Sequence, residues 1–353
     1  MPDFIWQQGV PIANTLCVSA SAQRLLVLHH PMRALRDPEV RTFLMDPVTE
    51  VLGSGSNVLL LSDELPRVAQ IQAKGWWALQ RDTRVWITAE VGLWLDTLVR
   101  ETASRGWYGL ERLAEIPGTC GAAPMQNVGA YGLQLSERVT GVTVWDRQTG
   151  QVSRWSSTEC GFAYRDSRFK QEEPRWLILA VHLLLSTQRP KDWPPVDYPG
   201  VRPIAEARAA ARGDALSALT PLDMVEIITQ VRRKKLPDWR SPPPGSAGSF
   251  FQNPVVPAEK AAALQAQFPE LPQYPTDAPD QIKLSAGWLI ERCGWRGYRS
   301  GDAGVFDAHA LVLVNHGQAT GAALWALAQR IQQDVQARFG VWLIPEPRQL
   351  SGR

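Results

Sequence analysis

The sequence predicts an α+β fold spread over more than one domain. Three observations carry that expectation. At 353 residues the chain exceeds what a single hydrophobic core usually serves, so two or three domains are expected. Strand-like apolar runs and amphipathic helices share the chain. Between them lies Ile116 to Gly132, IPGTCGAAPMQNVGAYG, which fits neither element. Its glycines at 118, 121, 129 and 132 and its prolines at 117 and 124 oppose a helix, at about 1 and 3 kcal/mol per residue.

Residues 1 to about 73 carry a helix-like segment and short strands. They lead into Val51 to Leu60, VLGSGSNVLL, an apolar run broken by Gly53-Ser54-Gly55-Ser56-Asn57. Val85 to Glu90 follows as a strand, then a helix whose Leu95, Leu98, Val99 and Thr102 recur at helical spacing. Val139 to Trp145 and Gln151 to Trp155 pair as a hairpin turning at Asp146 to Gly150. Trp176 to Leu184 is a buried strand, and prolines 190, 194, 195, 199 and 203 mark an irregular connection that contains Tyr198.

Thr220-Pro221-Leu222-Asp223 starts a helix, with a cap residue, a proline in the first turn and an acid three after the cap. Met224, Ile228 and Val231 give it an apolar face, and it stops by Pro237. Asp238 to Gly248, with Pro242-Pro243-Pro244, is the expected linker. A short helix spans Glu259 to Phe268. The last helix spans about Gly321 to Phe339, where Leu324, Leu327, Ile331, Val335 and Phe339 form one face. The tail Val341 to Ile344 reads as a strand.

Composition narrows the function classes. A net charge of +2 gives no strong field for nucleic acid. The basic run Arg232 to Lys235 is either a solvated helix end or a holder for a diphosphate. Cysteines 17, 120, 160 and 293 form no CxxC pair and no metal spacing, so reduced thiols and no metal are expected. The start MPDFIWQQGVPI lacks a basic region followed by an apolar core, and the longest apolar run, Trp176 to Leu185, is too short to span a bilayer. A cytoplasmic protein is the expectation.

The two glycine-rich stretches suit a polar ligand. Small residues leave backbone N–H groups uncovered, and an apolar strand entering a Gly/Ser nest is a common anion-binding layout. Thr119, Gln126, Asn127 and Tyr131 add side-chain donors and acceptors. The nest is neither GxGxxG nor a Walker loop. A phosphate or a flat polar cofactor fits.

Further motifs occur in a fixed order: GFAYRDSRFK at 161–170, KLPD at 235–238, AGSFFQNP at 247–254, KLSAGWLIE at 283–291 and PEP at 345–347. With the two loops, this set resembles the UDP-N-acetylenolpyruvoylglucosamine reductase (MurB) family, in its longer class with a tyrosine loop. The resemblance implies three domains: 1–73 with 340–353, 74–236, and a substrate-binding α+β domain at 237–339. The first two would form an FAD-binding fold of the vanillyl-alcohol-oxidase type.

The activity implied is NADPH-dependent, FAD-mediated reduction of UDP-N-acetylglucosamine enolpyruvate by a cytoplasmic monomer that uses no metal. The flavin would be noncovalent, held by Gly53, Ser54, Gly55, Ser56, Asn57, Gly118, Thr119, Gly121, Ala122, Gln126, Asn127, Gly129, Ala130 and Tyr131. Arg165 would grip the substrate carboxylate, Glu346 would stabilise the developing enol, and Ser249 would supply a proton. Tyr198, Arg232, Lys235, Asn253 and Lys283 would hold the nucleotide sugar. Three positions depart from the family pattern: Cys17 stands where glycine is usual, Gln252 where lysine is common, and Arg299 where some members have glutamine.

Overall fold

The structure is a computed structural model that describes residues 1–276 and 278–352. Near the N-terminus a four-stranded sheet has the order Phe4–Pro11, Ser21–Leu28, Glu64–Ile71, Glu50–Leu52. The first pair is antiparallel and the other two are parallel. Ser21–Leu28 ends in the run Leu25-Leu26-Val27-Leu28, which is buried on both faces. Successive strand side chains point to opposite sides. Accordingly Leu26 and Leu28 enter one hydrophobic core, while Leu25 and Val27 enter a second. An uninterrupted apolar run is what a strand covered on both sides requires.

The first core also takes in a five-stranded antiparallel sheet, ordered Val152–Ser156, Val139–Asp146, Trp176–Ser186, Arg84–Glu90, Trp76–Arg81. The expected hairpin is present, pairing Gly141 with Ser156 through Trp145 with Val152. Helices Leu95–Ser104 and Pro221–Arg233 pack on this core. The second core gathers helix Gly321–Phe339, helix Ala286–Arg292 and an antiparallel sheet ordered Gly245–Ser249, Val312–Asn315, Ala303–Val305, Arg299–Ser300.

Two expectations are corrected. Val341 to Ile344 is not a strand; the terminal strand is Arg348–Leu350, paired in parallel with Val58–Leu60. The misleading signal is real alternation, since Val341 and Leu343 are buried while Trp342 and Ile344 are exposed. What is missing is a ladder. Leu343 O is taken by the Gln332 side chain and Ile344 O by the Gln252 N–H. The expected linker Asp238 to Gly248 is also shorter, because Gly245–Ser249 is a sheet strand.

Candidate active site

A cavity of about 560 Å³ is lined by both glycine-rich stretches. At Gly53 they approach each other so closely that a Cβ does not fit. A Cβ on Gly53 would lie 2.8 Å from Thr119 Oγ1. Gly55 has φ +68°, and a Cβ there would lie 2.4 Å from Ala13 O. Positive φ and backbone contact together make glycine the residue for that position. Ser54 Oγ is buried with no protein partner. A buried hydroxyl left unpaired beside a cavity, within a nest of small residues, fits a ligand rich in phosphate oxygens.

The YRDS segment is docked on the second loop. Ser167 Oγ donates to Met125 O at 2.6 Å, and Asn127 Nδ2 donates to Ala163 O at 3.1 Å. Arg165 sits in a left-handed backbone (φ +55°), with its backbone oxygen held by Lys170 Nζ at 2.8 Å. That conformation is uncommon outside glycine and is found at functional sites. Arg165 Nη2 donates to Gly129 O at 3.1 Å, and Nε to Glu346 Oε1 at 3.3 Å. Burial pushes the Glu346 carboxyl up, against the pull of the neighbouring Arg165 guanidinium.

Glu346 and Ser249 come together through main chain. Glu346 N donates to Phe250 O at 2.8 Å, and Asn57 Nδ2 reaches both Glu346 O and Gln126 Oε1. Arg165, Ser249, Glu346 and Arg232 all line the cavity. So do Gly53 to Asn57, Gly118, Thr119, Gly121, Ala122, Gln126, Gly129 and Ala130.

Comparison with known proteins gives the arrangement a family. The C-terminal-domain profile of UDP-N-acetylenolpyruvoylglucosamine reductase matches residues 240–350, and an FAD binding domain profile matches residues 48–156. UDP-N-acetylenolpyruvoylglucosamine reductase of Xylella fastidiosa is 42% identical over 100% of this chain and 98% of that protein. The chain belongs to the UDP-N-acetylenolpyruvoylglucosamine reductase family. The Pseudomonas putida member is 46% identical over 84% of each chain. The crystal structure of the Thermus caldophilus reductase (MurB) covers 98% of both chains with a TM-score of 0.63 at 23% identity, a likeness of fold.

Other expected site residues of this reductase-family chain lie outside the cavity lining. Asn127 is buried, and its side chain is spent on Gln134, Ala163 and the Ser136 N–H. It braces the second loop. Tyr131 packs edge-on against Tyr198, ring centroids 4.9 Å apart, and the Arg232 guanidinium opposes the rise that burial imposes on its hydroxyl. Tyr198 is exposed. Lys283 Nζ stands 4.6 Å over the Tyr164 ring, whose other neighbour is the Arg165 guanidinium at 5.1 Å. Asn253 Oδ1 accepts from Ala286 N at 2.9 Å, so that oxygen is engaged by the backbone. Lys235 is exposed at the end of its helix.

The three departures have distinct outcomes. Cys17 adopts φ +55°, so the backbone keeps the shape glycine favours. Arg299 folds back on its own hairpin, bonding Gly301 O and Asp302 Oδ1. Gln252 gives its N–H to Ile344 O.

Sequence reasoning missed a charged wall of the cavity made of Arg147, Lys170, Glu173 and Arg348. Arg348 pairs with Glu173 at 2.8 Å and also with Glu50, while Arg147 donates to the carbonyls of Leu44, Asp46, Thr49 and Pro174. Position supplied the available signal: Lys170 closes the GFAYRDSRFK motif and Arg348 follows Pro345-Glu346-Pro347. All four cysteines are free of disulfides, and burial pushes the Cys120 and Cys160 thiols up to about 12.

Proposed function

We propose that Arg165, Ser249 and Glu346 carry a reduction in this cavity and that the facing loops at 53–57 and 118–131 hold its flavin. The chain is an FAD-dependent oxidoreductase that reduces UDP-N-acetylglucosamine enolpyruvate to UDP-N-acetylmuramate with NADPH, in peptidoglycan precursor synthesis. The observation that carries the assignment of roles is the meeting of Arg165 and Glu346, remote in sequence, on a wall shared with Ser249 and both glycine-rich loops.

The facing glycine-rich loops would hold FAD, which would supply hydride chemistry toward the enolpyruvyl group with NADPH as its reductant. Arg165 is planar and stays charged, so the free part of its fork grips the substrate carboxylate. Its bond to Gly129 O fixes the fork before substrate arrives. Glu346, held toward its protonated form by burial, donates a hydrogen bond to the oxygen on which charge develops. The Ser249 hydroxyl delivers a proton to the neighbouring carbon. A hydroxyl is a weak acid, and it serves here because the accepting carbon is strongly basic. Tyr198, Arg232, Lys235, Asn253 and Lys283 are assigned to the nucleotide sugar, with Arg232 at the cavity wall and the others around it.

The domain division proposed is 1–73 with 340–353, 74–236 and 237–339; the pairing of Arg348–Leu350 with Val58–Leu60 supports the first. The protein is proposed to work as a cytoplasmic monomer. Stopped-flow absorbance of Ser249→Ala tests the roles. The variant is expected to hold noncovalent FAD and be reduced by NADPH at nearly the normal rate. Its reoxidation by the enolpyruvyl substrate is expected to slow at least about a hundredfold, the low end of general acid catalysis. Equal slowing of both half-reactions, or of neither, would remove Ser249 from the mechanism.

A further inference from the structure

Behind the second flavin loop lies a cluster of charges that the reaction does not use. Asp96 and Glu115 are buried carboxylates, about 4% and 5% exposed. Glu115 has φ +62° and directly precedes Ile116, where the loop begins to line the cavity. Its N–H donates to Asp96 Oδ1 at 2.6 Å. Arg100 pairs with Asp96 at 2.8 Å and with Glu115 at 2.9 Å, and Arg233 pairs with Glu115 at 3.3 Å. Arg240 takes both carboxylates, Asp96 Oδ2 at 2.6 Å and Glu115 Oε2 beside it. The adjoining Trp239 stacks on Trp94, centroids 5.0 Å apart and planes at 23°. Trp94 itself forms a bridge with Thr119, and Leu95 N donates to Gly118 O at 3.0 Å.

Arg240 stands outside the helix that carries Arg233 and outside the flavin loop. It belongs to the segment that leads, through Pro242-Pro243-Pro244, into strand Gly245–Ser249. Proline rings lock φ, so this short link has little freedom. The strand is already tied to the first loop. Ser246 N donates to Thr15 O, Thr15 N donates to Gly55 O, and Phe250 O receives Glu346 N. The ties to the second loop run through Arg240 and Trp239.

We propose that Arg240 is a positioning residue for the protonation step: by bridging Asp96 and Glu115 it sets the distance between the second flavin loop and the strand that presents Ser249. Removing one partner of a buried ion pair usually strands a charge. Here Arg100 and Arg233 still offset both carboxylates, so loss of Arg240 releases the segment and leaves the cluster balanced. The proposal rests on Ser249 being the proton donor, and its test separates the two ideas.

The test is a double-mutant cycle of Arg240→Ala and Ser249→Ala in the FAD-loaded enzyme, with both half-reactions followed by stopped flow and folding checked by thermal melting. Arg240→Ala is expected to retain FAD, to accept hydride from NADPH within about twofold of normal, and to slow reoxidation by the enolpyruvyl substrate at least tenfold. Residues acting through one another are not additive. In the Ser249→Ala background the same change is therefore expected to cost less than twofold. Arg240→Lys reaches one carboxylate without the planar fork, and is expected to recover part of the rate. An additive cycle, equal slowing of both half-reactions, or an unchanged reoxidation rate in Arg240→Ala would overturn the proposal while leaving Ser249 in place. A normal reoxidation rate in Ser249→Ala would overturn the proton-donor assignment and this proposal with it.

Discussion

Glu346 shows at the scale of one residue how surroundings retune a common side chain. Burial raises its carboxyl, and the Arg165 guanidinium beside it pulls the other way. The net direction is upward, so the protonated form persists to higher pH than in an exposed glutamate. A hydrogen-bond donor at this position is lost as pH rises through the raised value. Reoxidation of the wild-type flavin by substrate is therefore expected to decline on the alkaline side of that titration. Glu346→Gln keeps a donor that does not titrate, and its profile is expected to lack this decline at a lower maximum rate. Stopped-flow reoxidation across pH reads both. If the two profiles run parallel, Glu346 does not act through a proton.

Helix Pro221–Arg233 carries the comparable lesson for elements, because it places Arg232 at the cavity and Arg233 on Glu115. Its start is a reciprocal cap: Thr220 Oγ1 accepts from Asp223 N at 3.1 Å, and Asp223 accepts from Thr220 N at 2.9 Å. Burial would raise the Asp223 carboxyl, but the bonds from Thr220, Arg208 and Arg212 outweigh it and hold the group well below the carboxylate range. A depressed folded value stabilises the protein above the unfolded value near 4, and the contribution fades as pH falls below it. Thr220→Ala is expected to destabilise the chain by about 1 kcal/mol. Thermal unfolding at neutral pH checks the size. Asp223→Asn is expected to cost stability at pH 7 and progressively less as pH drops through the acid range; a pH-independent cost would deny the linkage.

For the whole molecule, the consequential fact is that one cavity gathers both glycine-rich loops with Arg165, Ser249 and Glu346. The chain carries no GxGxxG fingerprint for a separate dinucleotide fold. NADPH and the enolpyruvyl substrate are therefore expected to compete for this one cavity. Steady-state kinetics are expected to be ping-pong, with parallel double-reciprocal lines and inhibition by each substrate at high concentration. Intersecting lines together with a detectable ternary complex would place NADPH elsewhere.

The sequence by itself determined the elements whose signals are local. The cap at Thr220, the apolar face from Leu324 to Phe339 and the 139–155 hairpin needed only near neighbours, and they formed where periodicity and turn chemistry put them. The glycine stretches were legible because a backbone that must pass close to its neighbours can carry no side chain. Tertiary structure decided what depends on distant partners. Val341 to Ile344 alternates as a strand does, yet among the described residues it joins no strand ladder. Asn127 directs its amide to Ala163 and Gln134, partners that no local pattern names. Nothing local in Asp96, Glu115 or Arg240 announces that they meet, because an ion pair is written in space and leaves no period in the sequence.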